Sequence, residues 1–360
     1  EWTSTIESEA EIRFRRKFIF MDQGDQLSGA LVSQVTRLNM LVRRIGGLGL
    51  SARIGRQRFD EPREWLFDEY LDALRVWVYQ AERFNVEGAL IHSIHPVDSL
   101  YDTWTDVYTS IEWQPARRNT ISVYLLSRSD SDTRRNREPL YIGGRYFGRI
   151  GGRIEPWGDL AIMRGNDKGR SLDAWALDCG ATLFLRDPQL NPHVTIGYAI
   201  GSGDRNTGDQ VDKRYRQTGY QDNSARFGGL VAFKYYGEIL NPELSNLKIL
   251  SVGAGVRLGS QFGPTRESSV DLMYHRYRQA QPDNEIKGAD LVPPAHPKGV
   301  ETDLGWAMTI VLGSPRILNR MRIALVLERF SPGKAFVPGN AFAPQLDPAT
   351  LARLNISVAV

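Results

Sequence analysis

The sequence predicts an all-β fold, a transmembrane antiparallel β-barrel of about 18 strands, and three observations predict it. First, side chains alternate strand after strand: Leu304, Trp306, Met308, Ile310 and Leu312 share one parity, Asp303, Gly305, Ala307 and Thr309 the other. The last residues repeat the pattern, with Leu354, Ile356, Val358 and Val360 set against Arg353, Asn355, Ser357 and Ala359. Successive strand residues point to opposite faces, so each segment is apolar on one side only. Second, Gly, Ser, Thr, Asn and Arg fill the other face; they suit a wet interior better than a packed core. Third, no run of about 18 apolar residues occurs, which excludes helical membrane spans.

Alternation and turn residues mark strand candidates at 2–8, 10–20, 27–34, 35–45, 48–58, 71–80, 84–94, 103–115, 118–128, 138–151, 154–165, 171–186, 191–203, 223–238, 245–259, 266–279, 299–314, 318–331 and 349–360. Single-chain bacterial barrels have an even strand number, and 223–238 alternates worst, with Arg226, Lys234, Tyr235, Tyr236 and Glu238 crowded into it. It is therefore assigned to a long extracellular loop, 204–244, partly folded into the pore. Gly46-Gly47, Pro115-Ala116, Gly151-Gly152 and Asp187-Pro188 read as short periplasmic turns. The longer polar connections 59–70, 95–102, 129–137 and 332–348 read as extracellular. The run 27–45 needs a turn near Ser33–Val35, and the proline-rich stretch 280–298 is expected on the periplasmic side as a movable plug. The whole chain, 1–360, is expected to form one domain.

Composition agrees. Mean hydropathy is −0.36, which a barrel produces because only alternate residues meet lipid. The 34 glycines suit turns, and the 8 Trp, 14 Tyr and 14 Phe suit interfacial girdles. A single cysteine, Cys179, rules out an internal disulfide and falls on the apolar parity. No apolar leader opens the chain at Glu1, so a secretion leader is expected to have been removed. Net charge is only +3, so electrostatic function must come from where charges sit.

Parity places the basic residues. Ile12, Phe14, Phe18 and Phe20 take the lipid side, leaving Arg13, Arg15 and Lys17 inward; Leu38, Met40 and Val42 likewise leave Arg37 and Arg43 inward. Arg145 and Arg149, and then Arg320 and Arg322, follow the same rule, as do Arg75, Arg257 and Arg353. An arginine facing lipid near the midplane would cost about 2–4 kcal/mol, so the inward side is favoured. Each inward arginine could simply pair with an inward acid such as Asp106, Glu112, Asp178 or Asp303. A cluster in a constriction would instead make an anion path, since the guanidinium fork binds carboxylate in bidentate fashion. Elsewhere the signals are bland. His92 and His95 point to opposite faces of a strand, and Gly201-Ser202-Gly203 lacks the helix a phosphate loop needs. No metal, cofactor or nucleic acid is implied, and no local motif supports covalent chemistry.

Ordered motifs carry a resemblance. Gly55-Arg56-Gln57-Arg58-Phe59 is followed by Trp65, Asp68 and Leu71-Asp72-Ala73-Leu74. Then come Ile196-Gly197-Tyr198-Ala199 with Gly201-Ser202-Gly203, Gln217-Thr218-Gly219 with Asn223, and Tyr235-Tyr236-Gly237-Glu238. Pro242-Glu243-Leu244-Ser245-Asn246-Leu247, Tyr274-His275 and Phe330-Ser331-Pro332-Gly333-Lys334 complete the set. Together they resemble the alginate export outer-membrane barrel family. The resemblance implies an eighteen-stranded, monomeric barrel in the outer membrane of a Gram-negative bacterium. It would pass an anionic polyuronate through an arginine-lined constriction, with mobile loops closing the ends and periplasmic secretion proteins as partners. By the same resemblance Arg58 is a pore residue, Arg15 and Arg37 are further ones, and Asp68 is a constriction acid. Arg226 and Lys234 lie near family arginines on the in-folded loop. The family's paired arginines fall here at Ala324 and Val326, with Arg320 and Arg322 displaced along the same face. The chain also ends Val358-Ala359-Val360, without a barrel's usual terminal Phe.

The expected function is export of an acidic exopolysaccharide by a non-enzymatic porin. A general diffusion porin for small anions is the alternative. A barrel enzyme would instead need one of the five histidines beside a serine and an acid at one rim.

Overall fold

The computed structural model describes residues 5–18, 29–46, 49–80, 83–92, 103–132, 136–187, 189–291, 296–314, 321–336 and 347–358. In chain order the strands are β1 (Thr5–Phe18), β2 (Gly29–Ile45), β3 (Leu50–Asp60), β4 (Asp68–Gln80), β5 (Phe84–His92), β6 (Trp104–Ala116) and β7 (Asn119–Asp130). Next come β8 (Arg137–Phe147), β9 (Ile154–Asp167), β10 (Arg170–Phe184), β11 (His193–Gly201) and the two-residue β12 (Val211–Asp212), β13 (Ser224–Ala225) and β14 (Phe233–Lys234). The chain finishes with β15 (Leu247–Arg257), β16 (Ser269–Gln279), β17 (Asp303–Gly313), β18 (Met321–Pro332) and β19 (Ala349–Val358).

The long strands form an antiparallel meander in which each pairs with the next, β11 passing directly to β15. With β12 added in parallel beside β10, they make a seventeen-stranded sheet. Among the described residues β1 and β19 pair only with β2 and β18.

Exposure runs opposite to that of a soluble protein. On β11, Val194, Ile196 and Tyr198 are exposed, while His193, Thr195 and Ala199 are buried. On β16, Val270 and Leu272 face out, while Asp271, Met273 and His275 face in. Large apolar residues outside and polar residues inside are what a lipid-facing barrel requires. Cys179 has the outward parity of the exposed Trp175.

Two expectations about strands change. The candidates 2–8 and 10–20 are one strand, β1, and 27–34 and 35–45 are one strand, β2. What read as a break is a bulge: the register steps from Glu11 opposite Arg37 to Ile12 opposite Val35, leaving Thr36 as the extra residue. Thr36 is buried, and its hydroxyl donates to the Glu11 carbonyl at 3.3 Å. An extra residue reverses the phase of the alternation. Val35 is accordingly exposed although Asn39 and Leu41, of the same parity, are buried. With both mergers, the described residues hold sixteen long strands, against the eighteen expected. A second irregularity, where Tyr277 meets Gly305 and Arg278 meets Asp303, turns Leu304 inward, against the parity it shares with Met308. Gly305 sits there at φ 106°, beside the Ser331 carbonyl, where a Cβ would not fit.

The antiparallel order sorts the connections. The turns after β2, β4, β6, β8, β10, β15 and β17 share one end, together with the start of β1 and the finish of β19. These are mostly short, as periplasmic turns are. The connections 61–67, 202–246 and 280–302 lie at the opposite, long-loop end. The described residues of 280–298 therefore lie at the long-loop end, whereas the sequence reading grouped this stretch with the short turns. It docks on the neighbouring loop, with Asn246 Nδ2 donating to the Gln281 carbonyl at 2.9 Å.

Candidate pore site

The segment 202–246 enters the lumen because it carries aromatic side chains that water would not hold. Tyr215, Tyr220, Phe227, Phe233, Tyr235 and Tyr236 are all at most 5% exposed. Their partners come from the β3–β4 connection, which Glu61 bends inward by accepting the backbone N–H of Trp65 and of Leu66. Trp65 stacks on Tyr215 with centroids 6.1 Å apart, and Phe67 on Tyr220 at 5.8 Å. Backbone bonds fix the two segments together: Asp222 and Asn223 donate to the Glu64 carbonyl at 3.0 and 2.9 Å, and Thr218 Oγ1 donates to the Leu66 carbonyl at 2.6 Å.

Buried charge ties these segments to the wall. Arg63 donates to Asp178 at 2.9 Å, with the Tyr235 ring 4.0 Å from its Cζ and Trp157 at 4.4 Å. Asp178 also accepts from Trp157 Nε1 at 2.9 Å and from the Tyr236 hydroxyl at 3.0 Å. Arg128 on β7 forms a bidentate pair with Asp106 on β6, both bonds 2.8 Å, and donates to the loop carbonyl of Thr218 at 2.7 Å. Arg145 on β8 pairs with Asp159 and, at 3.0 Å, with Glu61. At the other side Glu328 accepts the N–H groups of Glu238 and Ile239 at 2.9 and 2.8 Å, and Arg353 bonds Glu238 at 2.6 Å. At these positions inward arginine does pair with inward acid.

The structure gathers some of the expected site residues and separates others. Arg58, Asp68 and Lys234 come together: Arg58 pairs with Asp68, and Lys234 with Asp222. Glu64 completes the group, its carboxylate within 4.8 Å of those of Asp68 and Asp222. Burial, then the neighbouring Asp68 and Asp222, push the Glu64 carboxyl up to about 7. Arg37 lies elsewhere, bonded to Glu9 at 2.6 Å with Glu11 at 3.4 Å. Arg226 faces a different cavity, described below. Arg322 is exposed near the short-turn end of β18, opposite Ser357. The backbone of Arg15 stands opposite Val32. Arg320 lies outside the described residues. Sequence reasoning did not single out Glu64, Asp222, Arg63 or Arg128. The first three sit on connections, where parity says nothing. Arg128 shares the parity of the buried Tyr124 and Leu126, so the alternation could have found it.

Two cation-rich cavities flank the loop. One, of about 560 Å³, opens toward the short-turn end and is lined by Arg63, Arg118, Arg149 and Arg226 against the single acid Glu155. The other, of about 350 Å³, lies toward the long loops and presents Arg128, Arg137, Arg216 and Lys287 with Asp167 and Glu243. Among the described residues the histidines do not build a hydrolytic site. His275 Nδ1 lies 2.9 Å from Ser251 Oγ, but its Nε2 has no partner; His193 bonds Asp271 at 2.7 Å and no serine. Among the described residues no Ser–His–acid chain is assembled.

An antiparallel meander with an apolar outside, a polar wall and an in-folded loop defines a porin-type outer-membrane β-barrel. Solved structures agree: OccK11 (OpdR) of Pseudomonas aeruginosa matches with a TM-score of 0.58 at 13% identity, over 92% of this chain and 83% of that one. OccK10 (OpdN) of the same organism gives 0.55 at 10% identity, over 99% and 95%. At such identities the likeness shows the fold. The chain belongs to the alginate export family, whose model matches residues 37–349. It is 27% identical over 197 residues to the "Alginate production protein AlgE" of Azotobacter vinelandii, a match covering 50% of this chain and 38% of that protein.

Proposed function

We propose that the protein exports an anionic, alginate-like polysaccharide across the outer membrane, by passage and without covalent chemistry. The observation that carries this reading is the pair of cation-rich cavities on either side of the in-folded loop, in a chain of the alginate export family. A polyuronate bears a carboxylate on each sugar, so spaced guanidiniums offer it successive sites along one path. Conduction needs each site to be weak enough to release its carboxylate to the next. Wet ion pairs are worth about 0–1 kcal/mol, which meets that need; buried, fully paired arginines such as Arg63 and Arg128 hold the loop instead. A diffusion porin for small anions would use the same barrel with an open lumen, and the aromatic loop that fills this one favours the gated exporter.

The test is secretion. Producing the protein in cells that make alginate but lack their own exporter should restore uronate to the medium. Polymer retained in the periplasm, with the barrel correctly inserted, would contradict the export reading.

A further inference from the structure

The cavity at the short-turn end is built from both wall and loop. The wall gives Arg118, in the turn between β6 and β7, and Arg149, whose N–H donates to the Arg118 carbonyl at 3.1 Å. The loop gives Arg226, exposed between the buried anchors Ala225 and Phe227. Two of the four lining guanidiniums are already taken, Arg149 by Glu155 and Arg63 by Asp178. Among the described residues Arg118 and Arg226 make no ion pair. Thr120 and Phe147 line the same space and offer a hydroxyl and a partly exposed ring. A walled space with unpaired guanidiniums focuses an anion-attracting field. Its volume, about 560 Å³, lies within the roughly 300–1,000 Å³ typical of organic-ligand sites, so it holds more than a simple ion.

We propose that this cavity is the loading site for the acidic polysaccharide: Arg118 and Arg226 bind carboxylates of neighbouring sugars, and Phe147 packs against a ring face. The assignment rests on the export reading and adds the place where cargo is first held. It also bridges wall and loop, so bound cargo contacts the element that fills the lumen.

The experiment is block of single-channel current by a size-defined alginate oligosaccharide, using the full chain in a planar bilayer. A neutral dextran oligosaccharide of equal length serves as control. Arg118→Asn, which suits the positive φ of 66° at that turn, and Arg226→Gln should each raise the half-blocking concentration roughly tenfold. Arg226→Lys, keeping charge but losing the fork, should fall between, and gives a second reading if Arg226→Gln does not insert. Arg153→Gln, an exposed arginine at the same end and outside the lining, should leave block unchanged. Block that persists undiminished in the Arg118→Asn/Arg226→Gln double variant overturns the loading site while the export reading stands. Equal weakening by Arg153→Gln also overturns it, reducing the effect to general surface charge. No block of the wild-type channel by the acidic oligosaccharide would count against the export reading itself.

Discussion

Asp178 accepts hydrogen bonds from three places at once: Arg63 on the β3–β4 connection, Trp157 on β9 and Tyr236 on the in-folded loop. Its side chain is 3% exposed, so its charge is compensated almost wholly by these donors. Asp178→Ala would strand a buried guanidinium and two further donors, and loss of one partner of a buried pair costs about 3–5 kcal/mol. Urea unfolding in detergent should show a loss of that size. A change below about 1 kcal/mol would mean that Arg63 finds water and that the contact does not hold the loop. Glu64 makes a pH-dependent statement at the same scale. Its carboxyl is raised from 4.5 to about 7 in the folded protein, so between those values the folded state keeps a proton that the unfolded chain has lost. Stability contributed by this group therefore falls as pH rises through that window. Glu64→Gln should flatten the pH dependence of the unfolding midpoint between about pH 5 and 8; an unchanged slope would contradict the assignment.

At the scale of elements, alternation was legible where a strand keeps one phase, and β11 and β16 could be read almost residue by residue. It misled where a bulge changes phase. Around Thr36 the outward set switches from Val35 to Leu38 and Met40, which mimics the end of one strand and the start of another. Side-chain period alone cannot separate a bulge from a turn, and no Gly or Pro marks the spot, only Ser33-Gln34-Val35-Thr36. The segment 204–244 was legible for a different reason. Its one strand candidate, 223–238, alternates worst, and an even strand number left it to a loop.

For the whole molecule, the apolar outer face followed from the alternation, but the site was only half visible. Parity finds inward arginines; it cannot tell which are already engaged. Arg37 was a candidate and meets Glu9 and Glu11, acids of its neighbouring strand. Arg226 was a candidate and stays open to a cavity because the loop carries it there. Arg63 was not singled out, because it sits on the β3–β4 connection, where side-chain parity says nothing. With 45 basic against 42 acidic residues, bulk charge gives almost no preference for anions. On the proposed export reading, a preference for anions would come from guanidiniums without an acid partner, such as Arg118 and Arg226 in the cavity at the short-turn end. The most direct measurement is the reversal potential of the channel in a planar bilayer under a potassium chloride gradient, repeated with added polyuronate. The account predicts a potential on the anion-selective side and a current that the polymer suppresses. A cation-selective potential, or an anion current indifferent to the polymer, would contradict it.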